Sequence, residues 1–266
     1  MVMKNSLLDL LFLSEKRKNI LLLLKEKGPK SVETLRKNLN ESETSIQPQL
    51  KKLREKRLVV REDNLYRLSE IGIVIVEKLS PLLNTIQVFE ENEDYWASRD
   101  LKSIPPSFLQ RIGELGKYKI SEPDRCNHFM LIPGFSQSLI SSKEIKAFIS
   151  YFHPLLPPHI LGTARDGRKI TLIVNKMFME RVVCDFRPEI EAFLRLDNTK
   201  MYLCKEPAPL PTVLATDIIA AIAFYPKKGM FDRSYVVSFD QSALLWGEDL
   251  FEHIRYNSEE ITELPA

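Results

Sequence analysis

Cysteine and histidine are scarce in this chain, and their spacing argues against several classes of protein. The three cysteines contain no C-x-x-C pair, and an odd number cannot all join in disulfides. A disulfide framework or a zinc ribbon is therefore not expected, which indicates a reducing, intracellular compartment. The four histidines are scattered, and a metal site from Cys126, His128, His153 and His159 is a weak alternative to ordinary packing. We expect neither a metal nor a cofactor.

Long uncharged apolar runs are also missing. The apolar start "SLLDLLFL" at 6–13 is interrupted by Asp9 and followed by "SEKRK" with no small-residue cleavage site, which favours an amphipathic helix over a signal peptide. The long, weakly charged stretch at 207–226 contains four prolines and Asp217 and would make a poor membrane span. These patterns predict a soluble, cytoplasmic protein that does not enter a membrane.

Common catalytic motifs are absent as well. The sequence has no G-x-S-x-G, no H-E-x-x-H, no phosphate-binding loop with its lysine and no G-x-G-x-x-G. We therefore expect that the protein is not an enzyme.

Charge divides the chain into two parts. With 44% hydrophobic and 28% charged residues, 266 residues suit a globular protein of about two domains. Residues 14–68 hold 15 Lys and Arg against 8 Asp and Glu, a net +7, which leaves −5 for the rest. A small basic module joined to an acidic one is typical of a protein that binds a polyanion, although charge alone is often only a solvated face.

The basic part has the periodicity of three helices and a hairpin. Ser14 and Ser31 are predicted N-caps of the first two helices, and "GP" at 28–29 ends the first. In the third, "SIQPQLKKLREKRLVV" at 45–60, placing residues 100° apart brings Ile46, Leu50 and Leu53 onto one face. Two short strands follow, at 58–61 and 65–68, around a turn at 62–64. This order predicts a winged helix-turn-helix over residues 1–70, within an α+β fold.

Pro48 would be costly in a helix interior, because a proline has no N–H to donate. The first turn is the place where that loss matters least, so the third helix is predicted to begin near Thr44 or Ser45. The N-terminal residues of such a helix reach base edges in the major groove, and Pro48 would stiffen that end.

The polar face of the third helix and the hairpin supply the predicted DNA contacts. Gln47 and Gln49 carry amides suited to adenine, while Lys51, Lys52 and Arg54 would hold phosphates. The full set of predicted DNA-binding residues is Ser42, Thr44, Ser45, Gln47, Pro48, Gln49, Lys51, Lys52, Arg54, Arg61, Asn64 and Arg67. The alternative is a structural or protein-binding bundle with a solvated basic surface.

A helical linker or dimerisation segment is predicted at 71–120. Ser80 and Pro81 look like a cap and first residue of a helix through 96, on which Leu82, Leu83, Ile86 and Phe89 share a face. Such a stripe is more often core than interface. We expect a homodimer on separate grounds, since one winged helix gives little specificity and two read half-sites about 34 Å apart.

Residues 121–266 alternate between strand-like and helical runs. Strands are predicted at 128–135, 169–175 and 200–204, and helices at 141–152, 177–186 and 188–196. Ser141 and Glu144 look like a capping box for the first of these helices. Two strands around Lys227-Lys228-Gly229 and a last helix capped by Asp240 complete the chain. The pattern predicts an α/β domain with a partly parallel sheet.

Four residues are candidates for an effector pocket: Asp217, Tyr225, Asp232 and Trp246. Asp217 is the most informative, because a carboxylate within an apolar strand is costly unless paired. It would cap a turn, pair with an arginine such as Arg233, or line the pocket, and structural pairing is favoured.

Two known families share these features. The third helix resembles that of ArsR-like winged-helix regulators, L-x-x-L-[RE]-x-x-x-L-[VI], at Leu50, Leu53, Arg54, Leu58 and Val59. The segments "EDYWASRDLKSIPPSFLQRIGELG" at 93–116 and "SFDQSALLWGEDLFEHIR" at 238–255 resemble the archaeal Fil-type methanogenesis regulators, with "WGEDLF" the most distinctive piece. The resemblance implies a transcription factor that joins a winged helix to a C-terminal regulatory domain. A phospholipase-D-like fold for that domain is an analogy only, since the H-x-K motif of such domains is absent.

Together these features favour a dimeric regulator that binds double-stranded DNA and senses a small molecule or a protein through residues 121–266. Two alternatives stay open. One is a nucleic-acid-associated enzyme whose winged helix docks substrate, and the other is a winged-helix scaffold that binds proteins.

Overall fold

The computed structural model describes residues 6–123, 141–204 and 207–264. The chain divides into two compact units, Met1–Leu83 and Asn84–Ala266. Each has its own hydrophobic core.

The smaller unit has the predicted order of helices and hairpin. Its elements are α1 Leu7–Phe12, α2 Glu15–Lys27, α3 Val32–Leu39, α4 Glu43–Glu55, β1 Val59–Glu62 and β2 Leu65–Leu68, followed by α5 Glu70–Glu90, within which the boundary between the units falls. Serine side chains accept a backbone N–H at the starts of α2, α3 and α4, from Ser14, Ser31 and Ser42. Each cap satisfies one N–H of a first turn, and the serines predicted to begin α2 and α3 do so.

The core of this unit lies where periodicity predicted it. Ile46, Leu50 and Leu53 on α4 are almost completely buried. Strands β1 and β2 pair antiparallel, and Asp63 and Asn64 form their turn with φ of 45° and 66°. Positive φ at both central residues matches the right-handed twist of a hairpin, and asparagine and aspartate tolerate it. The winged helix-turn-helix arrangement is therefore present.

Both prolines of the smaller unit's helices stand where the sequence interpretation did not put them. Helix α4 begins at Glu43, so Pro48 is its sixth residue and not part of its first turn. Helix α5 begins at Glu70 and continues through Pro81, although a helix start at Ser80 was predicted. Buried residues such as Val76 anchor α5 to the core well before Pro81, and that packing outweighs the lost hydrogen bond.

Gly72 shows how closely α5 approaches the hairpin. A Cβ at this position would lie 2.0 Å from the backbone oxygen of Leu58. Only glycine permits this contact without a backbone shift.

The larger unit is an α/β domain. Its helices are α6 Glu93–Ser98, α7 Pro106–Leu109, α8 Leu156–Arg165, α9 Lys176–Asp185, α10 Arg187–Leu194 and α11 Gln241–Tyr256, with short 3-10 turns at Leu101–Ser103 and Ile112–Leu115. Its strands are β3 Tyr118–Ser121, β4 Glu144–Ile149, β5 Lys169–Val174, β6 Thr199–Cys204, β7 Thr212–Thr216, β8 Ala220–Ala223, β9 Tyr235–Ser238 and β10 Ser258–Ile261.

The described strands of the larger unit form one mixed sheet in the order β10-β6-β5-β4-β7-β8-β9-β3. Strands β4, β5 and β6 are parallel and the other pairs are antiparallel, which confirms the predicted partly parallel sheet. Each face carries its own core, because successive strand residues alternate. Ile173 belongs to the core that contains α11, while Leu172 belongs to the core that contains α8, α9 and α10.

Three predictions for this unit differ from the structure in whole or in part. Residues 144–149 form strand β4 and not a helix, because β5 and β7 pair with both of its edges. The region around Lys227-Lys228-Gly229 holds three strands and not two, since β7 and β8 already form a hairpin of their own. Asp240 is the N-cap residue of α11 but makes no side-chain cap bond, and its carboxylate accepts the N–H of Lys117 instead. The strand predicted at 128–135 lies outside the described residues.

Candidate nucleic-acid interface

Helix α4 separates an apolar face from an exposed polar face. Opposite its buried leucines, the exposed residues include Thr44, Gln47, Pro48, Lys51 and Lys52. Arg54 is exposed at the flank. The predicted division of this helix into a core side and a polar side is therefore confirmed.

The cations of this face are available for an anion. The side chains of Lys51, Lys52 and Arg54 form no hydrogen bond or ion pair with any residue that the structure describes. Lysine and arginine side chains without protein partners can pair with phosphate without first breaking another ion pair.

Pro48 leaves a backbone acceptor on the same face. In a helix the N–H at position 48 would donate to the carbonyl of Thr44, four residues earlier, and proline has no such N–H. Thr44 is exposed, so water can bond its carbonyl and reduce the cost.

The two glutamines are held differently. Gln47 lies on the outer face, where its amide donates to Glu43 Oε1 at 2.8 Å. Gln49 is half-buried on the flank, and its Oε1 accepts a hydrogen bond of 3.0 Å from Arg17 Nη1. The Nε of Arg17 donates at the same time to the carbonyl of Leu10, at 2.5 Å. Gln49 is thus tied to α2 and α1, whereas Gln47 faces solvent.

The start of α4 is also tied to α2. Lys16 Nζ donates to Glu41 at 2.9 Å and to the Ser45 hydroxyl at 2.6 Å, and Ser45 donates to Glu41 at 3.0 Å. The hydrogen bonds from Lys16 and Ser45 lower the pKa of Glu41. Ser42 serves as N-cap and its hydroxyl lies 3.0 Å from that of Thr44. The serines therefore have structural roles in the absence of DNA.

The hairpin carries less free charge than its sequence suggests. Arg67 forms a two-pronged ion pair with Glu62, which lowers the pKa of that carboxylate. Arg61 donates to Asn64 at 2.5 Å and lies 5.7 Å from the ring centroid of Tyr66. Arg61 and Asn64 remain exposed at the tip, whereas Arg67 is neutralised within the hairpin.

The four residues proposed for an effector pocket do not meet. Asp217 is exposed in the turn between β7 and β8 and not within a strand, and it accepts the N–H of Lys143 at 3.1 Å. Trp246 is completely buried, and its indole donates to the carbonyl of Phe108 at 3.2 Å. The expected pair of Asp217 with Arg233 is not observed. Asp217 therefore serves a turn, and Trp246 belongs to the core.

The other two residues hold a buried arginine and its surroundings. Asp232 pairs with Arg99 at 2.6 Å, and the guanidinium of Arg99 stacks 4.1 Å above the ring of Tyr95. Burial acts to raise the pKa of Asp232, but hydrogen bonds from Arg99 and Ser234 outweigh it, so the pKa is lowered. The carbonyl of Tyr225 accepts from the N–H of Asp100 at 2.8 Å. No local pattern in the sequence indicates a role for Arg99, because its partner lies more than 130 positions away.

No group of three or more His, Cys, Asp or Glu side chains that could hold a metal occurs within residues 6–123, 141–204 and 207–264. Cys126 and His128 lie outside these ranges. His153 and His159 are described, but they are not part of such a group.

Helix α5 exposes apolar side chains. Of the four residues of its predicted face, Leu82 and Ile86 are exposed, while Leu83 and Phe89 pack against the cores of their own units. Further apolar residues are exposed along its first turns, namely Ile71, Ile73 and Val74. By length and hydropathy α5 is the one described helix that could cross a membrane, with 22% of its most apolar window buried. That test alone is weak evidence for a membrane.

Comparison with known proteins gives the family. Models of the N-terminal and middle domains of methanogenesis regulatory protein FilR1 match residues 5–87 and 129–257. The chain is 24% identical over 255 residues to methanogenesis regulatory protein FilR1 of Methanothrix harundinacea strain 6Ac. This alignment covers 94% of the chain and 57% of the relative, so the chain spans little more than half of that protein's length.

Two solved structures show a weaker likeness. One is TrmBL2, described as an archaeal chromatin protein with a novel mode of DNA binding, at 14% identity over 97% of this chain and all of that chain, with a TM-score of 0.41. The other is the phospholipase D family member Nuc from Salmonella typhimurium, at 12% identity over 55% of this chain and 99% of that chain, with a TM-score of 0.38. The phospholipase-D-like fold therefore stays a prediction. The two domain matches, together with the FilR1 relative, confirm the resemblance found in the sequence: the chain belongs to the FilR1 family of methanogenesis regulatory proteins.

Proposed function

We propose that this protein is a cytoplasmic, DNA-binding transcription regulator that is not an enzyme. Its winged helix binds operator DNA as a homodimer, with the exposed face of α4 in the major groove, and its larger unit senses a small molecule or a partner protein. The observation that supports this most strongly is the set of three unpaired cations, Lys51, Lys52 and Arg54, on the third helix of a winged helix-turn-helix. The family name supports a regulatory role.

Each part of the smaller unit has a place in this proposal. The first turns of α4 would meet base edges, with Gln47 as the residue that reads them, while the lysines and Arg54 hold phosphates. Arg61 and Asn64 at the tip of the hairpin would contact the backbone beside the groove. Gln49 and Arg67 would need to leave their present partners to reach DNA, so we assign them supporting roles.

The experiment is a binding titration of the full chain with a fluorescent duplex. Lys51→Glu with Lys52→Glu should abolish binding, because the change replaces two phosphate contacts by two repulsions. Lys119→Glu with Lys228→Glu is the matched control, since these exposed lysines of the larger unit give the same change in net charge. If the α4 double variant binds as tightly as the parent, the assignment of α4 as the DNA reader is wrong.

The homodimer rests on the exposed face of α5. Ile71, Val74 and Leu82 recur at intervals of three and eight residues, which places them within one stripe of a helix. Side chains of this size on the surface of a small unit indicate a partner, and a second copy supplies the same stripe in return. Ile71→Glu with Leu82→Glu should convert a dimer to a monomer in analytical ultracentrifugation. A parent chain that is monomeric at tens of micromolar would contradict the proposal.

Regulation then follows from the dimer. An effector that binds one arrangement of the two copies more tightly than another changes the spacing of the two α4 helices, and with it the fit to half-sites about 34 Å apart. An effector that binds both arrangements equally changes nothing.

A further inference from the structure

A small apolar cavity lies in the larger unit, between the sheet and α8. Its volume is about 90 Å³. Its walls come from β4, β5, β7 and α8, and include Ile145, Ala147, Leu172, Leu214, Leu156 and Ile160. The described lining residues include His159 but no Asp, Glu, Lys or Arg, so the walls are almost entirely apolar.

One end of this cavity is polar. Tyr151 and Thr212 line it, and the hydroxyl of Tyr151 lies 2.7 Å from that of Tyr235. Thr212 is 4% exposed, and its buried hydroxyl lies near the hydroxyls of Tyr151 and Tyr235 but makes no hydrogen bond of normal geometry with any described residue. A buried hydroxyl without a partner is costly, so folded proteins rarely retain one unless a further molecule meets it. Burial raises the pKa of Tyr151, which keeps its hydroxyl neutral.

The size of the cavity limits the occupant. A volume of about 90 Å³ equals roughly three waters of liquid, and an apolar cavity of about 150 Å³ is large enough to bind benzene. An occupant has about four to six non-hydrogen atoms, and a molecule this small binds with a Kd of about 1 mM.

We propose that this cavity is a binding site for a small uncharged organic molecule with an aliphatic body and one oxygen, which hydrogen-bonds the hydroxyl of Thr212. The regulatory meaning of the site rests on the proposed sensing function of the larger unit. Binding itself does not depend on that function.

The test adds two probes of the same shape, cyclopentanol and methylcyclopentane, to the full chain. Binding of each probe is measured by methyl NMR. Cyclopentanol should shift the methyl signals of Ile145, Ile160 and Leu214 in a saturable way, and methylcyclopentane should bind more weakly. Thr212→Val keeps the shape but removes the hydroxyl, so cyclopentanol affinity should fall about five-fold and the preference between the probes should disappear. Because this change removes an unpaired buried hydroxyl, the Tm should not fall.

Filling the cavity is the second arm. Ala147→Leu should abolish binding of both probes, and Thr163→Leu fills the space from the helix side if the first variant does not fold. The absence of saturable shifts in the parent, or shifts that persist in a folded filled variant, would overturn the site. DNA affinity measured with and without cyclopentanol tests regulation separately, because unchanged DNA binding refutes the sensing role and leaves the site intact.

Discussion

Replacing Pro48 by alanine separates the effect of this proline on the stability of α4 from its effect on DNA binding. Pro48 is the sixth residue of α4, and its ring denies the exposed carbonyl of Thr44 a helical hydrogen bond. Proline in a helix interior costs about 3 kcal/mol relative to alanine. Because water can bond the Thr44 carbonyl, we expect Pro48→Ala to stabilise the smaller unit by about 1–2 kcal/mol. For a unit of this size each 1 kcal/mol raises the Tm by about 4–8 °C.

The same substitution should weaken DNA binding. The ring lies on the exposed face of α4, and a DNA contact through it would half-bury two methylenes, about 0.8 kcal/mol or four-fold in Kd. Pro81→Ala in α5 is the matched control, because it restores the same kind of hydrogen bond away from α4. It should raise stability and leave DNA binding unchanged.

The assay uses two signals from one chain. Far-UV circular dichroism follows the helices, whereas Trp96 and Trp246 both lie in the larger unit and report its unfolding by fluorescence. Pro48→Ala should raise the midpoint of the transition seen by circular dichroism more than that of the transition seen by tryptophan fluorescence. If Pro48→Ala is no more stable than the parent, the hydrogen-bond reasoning for α4 is wrong, and if it binds DNA as tightly, the proline makes no DNA contact.

Three further substitutions test other parts of the structure. Asp232→Ala leaves the buried Arg99 without its ion-pair partner. Because two-fifths of the Asp232 side chain is exposed to screening solvent, we expect the free energy of unfolding, measured by urea denaturation, to fall by about 2 kcal/mol, against about 3–5 kcal/mol for a fully buried pair. Since the pKa of Asp232 is lowered by folding, this contribution should be complete above the usual pKa near 3.8, decline below it and be lost as the pH falls through the lower pKa of the folded state; an equal loss at pH 3 and pH 7 would contradict the pairing. Gly72→Ala should lower the free energy of unfolding by about 3 kcal/mol, because the added Cβ meets the backbone oxygen of Leu58, which cannot move alone. A variant with the parental Tm would refute that contact. Arg17→Met should release Gln49, changing the sequences selected from a random duplex library while leaving the salt dependence of binding unchanged; an unaltered selection would show that Gln49 plays no part in reading.

Local signals in the sequence were sufficient for the caps of α2 and α3 and for the core of the smaller unit, but not for the starts of α4 and α5. Ser14 and Ser31 act on N–H groups three residues away, and the leucines of α4 recur with the helical period, so both could be predicted without the fold. The starts of the helices that contain Pro48 and Pro81 were predicted wrongly, because distant packing allows a helix to continue through a proline.

Long-range pairing explains the errors in the larger unit. Residues 144–149 follow a capping-box pattern, but their partners at 169–174 and 212–216 are separated from them by many residues and impose a strand. The same reason applies to the site. Exposure of Lys51 was predictable from periodicity, whereas the bond between Arg17 and Gln49 joins residues 32 positions apart, and the chain carries no local signal for it.

The central claim is that α4 lies along a duplex with its lysines on phosphates. The most direct measurement is the dependence of log Kd on log salt for the parent and for Lys51→Met with Lys52→Met, which removes charge without adding repulsion. Each phosphate neutralised contributes about 0.9 to the slope, so the variant should lose about 1.8 per protomer. An unchanged slope would place both lysines away from DNA and contradict the account.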